Sequence, residues 1–252
     1  MSGHSHWATI RRKKGAADAK RGQAFTRLAR EIVMAAREGG GDPDSNFRLA
    51  LAIEKARAGN MPKDNIERAI HRGTGEDKEG GALEEITYEG YGPHGVAFMI
   101  ECVTDNRNRV VAELRHLLGR AGGNMAEAGA VGWQFKRAAY FSFPKSALNY
   151  DKAFELALDA GAEDVSEDGD NIEIVGPVDS FKKLSDALKA AGVSPEEAGL
   201  RMIAKQDMEL DKDATLSVLK AIESLEELDD VQNVFHNLKI SDEALAALEA
   251  AE

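Results

Sequence analysis

Residues 139–205, AYFSFPKSALNYDKAFELALDAGAEDVSEDGDNIEIVGPVDSFKKLSDALKAAGVSPEEAGLRMIAK, decide the fold of this chain. AYFSFP opens as a strand, and YDKAFELALDAGA carries its apolar residues at helical spacing before closing on glycine. EDVSE and NIEIV are short strands on either side of a turn at Gly169. DSFKKLSDALKAAG is a second helix, and GLRMIAKQDMEL a last strand. The order β-α-β-β-α-β from Ala139 to about Lys205 is the split βαβ pattern of ferredoxin-like domains.

Outward from this block, the flanks complement each other. EITYEGY and GVAFMIECVTD upstream read as strands, RVVAELRHLLGRAGG as a helix with a glycine cap, and AVGWQFK as a further strand separate from AYFSFP. Downstream, ATLSVLKAIESLEEL is a helix and VQNVFHNL a strand. Together the flanks form one α/β domain, residues 79–137 plus 206–240, that an inserted domain, residues 138–205, interrupts. Residues 241–252 read as a frayed alanine and glutamate helix. The expected class is α+β, with a helical N-terminal domain at 21–78 ahead of an α/β domain that the ferredoxin-like domain interrupts. A length of 252 residues suits several small domains, each with its own core.

The N-terminal region contradicts the rest in charge. Between Met1 and Arg37 there are nine Lys/Arg against two acids, a net of +7, whereas the whole chain is −12. Residues 79–252 alone hold 34 acids and 16 bases. A sign reversal confined to one end is the electrostatic footprint of a surface that meets polyphosphate. Residues 1–20 show no apolar period and read as a disordered basic arm containing Trp7, Arg11, Arg12, Lys13, Lys14 and Lys20. Next comes a helix with Phe25, Leu28, Ala29, Ile32, Val33 and Ala36 on one face and Lys20, Arg27, Arg30 and Arg37 on the other, with Arg21 adding charge and Gly39, Gly40 and Gly41 ending it. A second helix, capped by Asp44 or Ser45, carries Leu49, Ala50, Ile53 and Ala56. A third begins at Pro62, places Ile66, Ala69 and Ile70 inward, stops at Gly73 and displays Lys63, Arg68, His71 and Arg72. The linker GTGEDKEGGALEE reads as a hinge.

Other motifs fail on context. Gly90, Gly92 and Gly95 match the dinucleotide fingerprint GxGxxG, but they lie between two strands and enclose Pro93, so a turn is expected. Asp42, Asp44 and Asn46 imitate a calcium loop whose sixth and twelfth positions are Phe47 and Ile53 instead of glycine and glutamate. The histidines show no metal spacing, no cofactor motif occurs, and catalysis finds no support. Cys102, the single cysteine, sits in an apolar run as a buried small hydrophobe, which fits a reducing, cytoplasmic setting. No run approaches the roughly 18 apolar residues of a membrane span. Arg107 and Arg109 stand where a strand passes into a helix, beside unsatisfied amides, an arrangement that suits a phosphate and also describes a plain capped helix with solvated arginines. The acidic runs EDVSEDGD and ESLEELDD read as solvated faces.

GHSHWATIRRKKGAADAKRGQAFTRLAREI, AAREGGGDPDSN, KARAGNMPKDNIERAIHRGTG, EEITYEGYGPHGVAFMIECVTDNRNR, AELRH and the pair Gly122 and Gly123 resemble the YebC family over nearly the whole chain. His6 departs from the family's GHSKW opening. The resemblance implies a three-domain α+β protein, with a helical N-terminal domain and two ferredoxin-like α/β domains, one inserted in the other. It also implies either a DNA-binding transcriptional regulator or a factor acting on ribosomes, like the related mitochondrial translational activator of cytochrome c oxidase subunit I. The expectation is a non-enzymatic, monomeric nucleic-acid binder of DNA or RNA, with the ribosome among its candidate partners and no membrane role. Trp7, Arg11, Arg12, Lys13, Lys14, Lys20, Arg21, Arg27, Arg30, Lys63, Arg68, Arg72, Arg107 and Arg109 would form its contact surface. The alternative is an adaptor whose acidic α/β domains grip a basic protein.

Overall fold

A computed structural model describes residues 19–76 and 83–250. The basic arm before Ala19 lies outside the described residues, as do 77–82 in the middle of the expected hinge.

Three helices open the chain: α1 (Ala19–Gly39), α2 (Phe47–Ala58) and α3 (Lys63–Thr74). In α1, Ile32, Val33, Met34, Ala35 and Ala36 are all buried. Five consecutive buried positions exceed a single stripe because α1 is covered on two sides, by α2 and α3 and by Leu83 and Val103 of the following sheet region. The N-cap of α2 is Asn46 rather than Asp44 or Ser45. Its Oδ1 accepts from Leu49 N at 3.1 Å, while its Nδ2 donates to the carbonyls of Ala35 and Gly40, both at 2.8 Å, tying the end of α1 to the start of α2. Gly73 does not stop α3. It lies inside the helix, and a Cβ there would come within 2.6 Å of both the Val33 carbonyl and Ala36 Cβ, so the glycine lets α1 and α3 approach. The stop is Gly75, with φ +81°.

The first sheet runs β3 (Asn124–Met125), β1 (Glu84–Tyr91), β2 (Ala97–Thr104), β9 (Val231–His236), all antiparallel. Helices α4 (Arg107–Arg120) and α7 (Lys212–Glu226) cover one face, where Phe98, Ile100 and Cys102 meet Leu114, Leu118 and Ile222. Of the three glycines of the GxGxxG match, Gly90 is a ladder position in β1, paired with Phe98 and Met125, while Gly92 and Gly95 form the β1 to β2 turn, and a Cβ at Gly92 would strike the Phe98 ring.

The second sheet runs β5 (Asp164–Asp168), β6 (Asn171–Gly176), β4 (Phe135–Pro144), β7 (Glu197–Ala204), under α5 (Tyr150–Asp159) and α6 (Phe181–Ala190). This is the antiparallel order of a ferredoxin-like sheet. AVGWQFK and AYFSFP are not two strands. After a 3₁₀ turn at Gly132–Gln134 the chain pairs without a break from Phe135 onward, and Arg137 and Ala138 face Met202 and Arg201 across the ladder.

Short parallel strands β8 (Met208–Glu209) and β10 (Leu238–Lys239) follow, and α8 (Asp242–Ala250) closes the described chain. The expected frayed tail is instead a docked helix, because Ala244 and Leu245 are buried in the core of the first sheet. The ends of the expected hinge are also fixed. Leu83 is buried among the N-terminal helices and its carbonyl accepts from Arg37. Arg48 of α2 reaches Glu38 at 2.6 Å and Glu85 of β1 at 2.9 Å, and the Phe47 ring meets Phe181 of α6 edge to face, with centroids 5.0 Å apart. The architecture is therefore α+β, a helical N-terminal unit seated against two ferredoxin-like α/β units, one threaded through the other.

Candidate nucleic-acid interface

The cations expected on the surface divide into two groups. On α3, Lys63 and Arg68 point to solvent. Lys63 pairs with Glu67 one turn away at 3.2 Å, an exposed contact worth well under ~1 kcal/mol, and Arg68 donates to Asn65 Oδ1 at 3.3 Å. Neither arrangement would resist a phosphate. Arg72 and, on α1, Arg27 are half-buried. The backbones of Lys20 and Arg21 continue α1, whereas Trp7, Arg11, Arg12, Lys13 and Lys14 lie outside the described residues.

The second group is committed to the frame. Arg30, expected opposite the apolar stripe, turns into the junction between the helices and the first sheet. It donates to Asp230 Oδ1 at 2.5 Å and to the carbonyls of Val103 at 2.9 Å and Asp229 at 2.6 Å. Arg109 reaches the other oxygen of the same carboxylate, through Nη2 at 2.8 Å and Nε at 3.2 Å, and also Asp105 at 2.9 Å. Arg107 pairs with Glu84 at 2.5 Å. The start of α4 is closed by Asn106, whose Oδ1 accepts from Arg109 N at 3.1 Å. The arginines expected to flank an open phosphate site thus already face carboxylates.

Asp230 is the residue that sequence reasoning missed. It belongs to the acidic run ESLEELDD, yet its side chain is 4 % exposed, and it joins α1, α4 and the turn between α7 and β9. The only local signal was its place directly before the apolar strand VQNVFHNL. Trp133 was missed as well, having been read as part of a strand. It projects from the loop between β3 and β4 with 69 % of its surface exposed. Cys102 is fully buried, and burial pushes its thiol up to about 12, which leaves no thiolate for chemistry at neutral pH. Among the described residues, no three His, Cys, Asp or Glu side chains are grouped to hold a metal ion. No described helix is long and apolar enough to cross a membrane.

Comparison with known proteins agrees with this architecture along the whole chain. Residues 5–76 match the family model described as the TACO1/YebC protein N-terminal domain, and residues 83–238 match the one described as the TACO1/YebC second and third domain. A relative from Chlorobaculum tepidum, named probable transcriptional regulatory protein, is 51 % identical over 250 residues, covering 99 % of both chains. One from Acidithiobacillus ferrooxidans bearing the same name is 53 % identical over 250 residues, again 99 % of both. The crystal structure of a conserved hypothetical protein from Aquifex aeolicus superposes with a TM-score of 0.85 at 40 % identity, covering 94 % of this chain and 98 % of that one. With both family models matched in sequence order and relatives aligned almost end to end, this chain belongs to the TACO1/YebC family.

Proposed function

We propose that this protein is a regulator of gene expression that binds nucleic acid through its basic N-terminal region. One observation carries the reading: nine Lys/Arg against two acids between Met1 and Arg37, in a chain whose net charge is −12. Arg11, Arg12, Lys13, Lys14, Lys20 and Arg21 supply the phosphate contacts, with Trp7 beside them. Lys63, Arg68 and Arg72 of α3 and Arg27 of α1 extend the track across the helical unit. Arg30 and Arg109, both held by Asp230, position this surface against the first sheet rather than meeting phosphate themselves. Contacts of this kind read backbone charge and not base edges, so the ligand is a phosphate backbone, of RNA or DNA, free or on a ribosome. The name probable transcriptional regulatory protein carried by the relatives supports the same reading.

Ultraviolet crosslinking in living cells, followed by denaturing purification and end-labelling, tests it. The expected result is a labelled adduct whose removal by ribonuclease or by deoxyribonuclease names the target. No adduct above that of the chain with Arg11, Arg12, Lys13 and Lys14 changed to alanine contradicts the reading.

A further inference from the structure

Trp133 is the most exposed large hydrophobic side chain among the described residues, and the loop that carries it is not loose. Glu89 of β1 reaches into the loop and accepts three backbone amides, from Gly129 at 2.7 Å, Val131 at 2.6 Å and Gly132 at 2.8 Å. Burial works to raise the Glu89 carboxyl, but the three amides outweigh it and hold the group below its ordinary value. The Glu89 carbonyl also accepts from Ala126 N at 2.9 Å. On the far side of the loop, Lys205 Nζ donates to the Trp133 carbonyl at 2.7 Å, and Lys205 N to that of Gln134 at 2.8 Å. The indole's single polar atom is satisfied within the loop, since Nε1 donates to the Ala130 carbonyl at 3.0 Å.

A large apolar ring held open to water by a rigid loop is unfavourable in the free protein, and its faces are all it offers a ligand. The surroundings narrow the chemistry. Among the described residues the Lys205 ammonium meets a carbonyl and pairs with no carboxylate, so its charge is not neutralised there. A flat apolar face beside a cation suits an aromatic ring that carries an anion. We infer that Trp133 is a stacking platform for one unpaired nucleobase, with Lys205 placed to meet the adjoining phosphate. This inference rests on the nucleic-acid reading above and adds to it a contact outside the basic N-terminal region.

The chain has only two tryptophans, Trp7 and Trp133, so Trp7→Phe makes the emission report on Trp133 alone. The full-length variant is titrated with fluorescein-labelled oligouridylate and with an abasic oligomer of equal length, following anisotropy for binding and indole emission for stacking. Quenching by the uridylate but not by the abasic strand is expected. Trp133→Leu should weaken uridylate binding by about 5- to 150-fold and leave abasic binding unchanged. Far-UV dichroism confirms that the exposed substitution folds. Lys205→Gln should weaken both strands and flatten their salt dependence. Binding without any change in Trp133 emission, or unaltered uridylate affinity in Trp133→Leu, overturns the stacking role alone and leaves the ring to a protein partner. If neither strand binds the wild-type chain, the nucleic-acid reading falls as well.

Discussion

Replacing Asp230 with alanine should destabilise the protein although the residue belongs to a run of surface-like acids. Its carboxylate is 4 % exposed and accepts from Arg30, whose side chain is 17 % exposed, on one oxygen and from Arg109, 43 % exposed, on the other. Removing it leaves the Arg30 guanidinium at the junction with only the carbonyls of Val103 and Asp229. Breaking one side of a buried pair costs about 3 to 5 kcal/mol, while the Arg109 contact, screened by solvent, adds less than ~1 kcal/mol. With two carbonyls still satisfying Arg30, the low end of that range, about 3 kcal/mol, is expected. For a chain of this size that corresponds to a fall in thermal midpoint of roughly 6 to 12 °C. Arg30→Ala should also cost about 2 kcal/mol, although its place opposite the apolar stripe suggests a silent change. The double replacement Arg30→Met with Asp230→Leu should recover much of the loss, since well-packed apolar pairs replace buried ion pairs at little cost. Denaturant unfolding of the four proteins decides. A loss below about 1 kcal/mol for Asp230→Ala would refute the view that this carboxylate fastens the helical unit to the sheet.

Three further outcomes follow from particular contacts. Glu173 is buried in the second sheet, accepting from Tyr140 OH at 2.6 Å, with Asp168 and Arg201 nearby. Burial pushes its carboxyl from 4.5 to about 7. The folded state therefore holds the proton more tightly than the unfolded one, and stability should fall by up to roughly 3 kcal/mol as pH rises from about 4.5 to 7. Glu173→Gln should flatten that fall in thermal melts across the window, and an unchanged slope would refute the assignment. Gly73→Ala should cost about 1 to 3 kcal/mol by forcing α1 and α3 apart, which denaturant midpoints would show, whereas a stabilised protein would mean the helices are not in contact there. Ile32→Ala, at a fully buried position, should cost about 2 to 5 kcal/mol, and Leu28→Ala, half-buried, distinctly less in the same assay.

Local patterns carried most of the architecture. The helices and strands of residues 139–205 stand where periodicity puts them, because each element buries one face against its neighbour in the same unit. What sequence did not show came from contacts between units. Met34 and Ala35 look like interruptions of a stripe until the first sheet covers the second side of α1. Gly73 looks like a stop because glycine usually is one, and only the close approach of α1 reveals its packing role. Arg30, Arg109 and Asp230 lie far apart in sequence, so nothing local distinguishes them from solvated charges. Trp133 was hidden for the opposite reason, since an aromatic in an apolar run suggests a strand, while the loop's conformation depends on a carboxylate more than forty residues upstream. The charge asymmetry was legible at once, because it needs no structure.

Phosphate binding by the basic N-terminal region shows itself in the salt dependence of affinity. If about six phosphates are neutralised, log affinity for a single strand should fall against log salt with a slope of about −4. Changing Arg11, Arg12, Lys13 and Lys14 to alanine should flatten that slope by up to ~3 while the thermal midpoint stays in place. A slope near zero in the wild-type chain, or one unaltered by the four substitutions, would mean that this region does not bind phosphate.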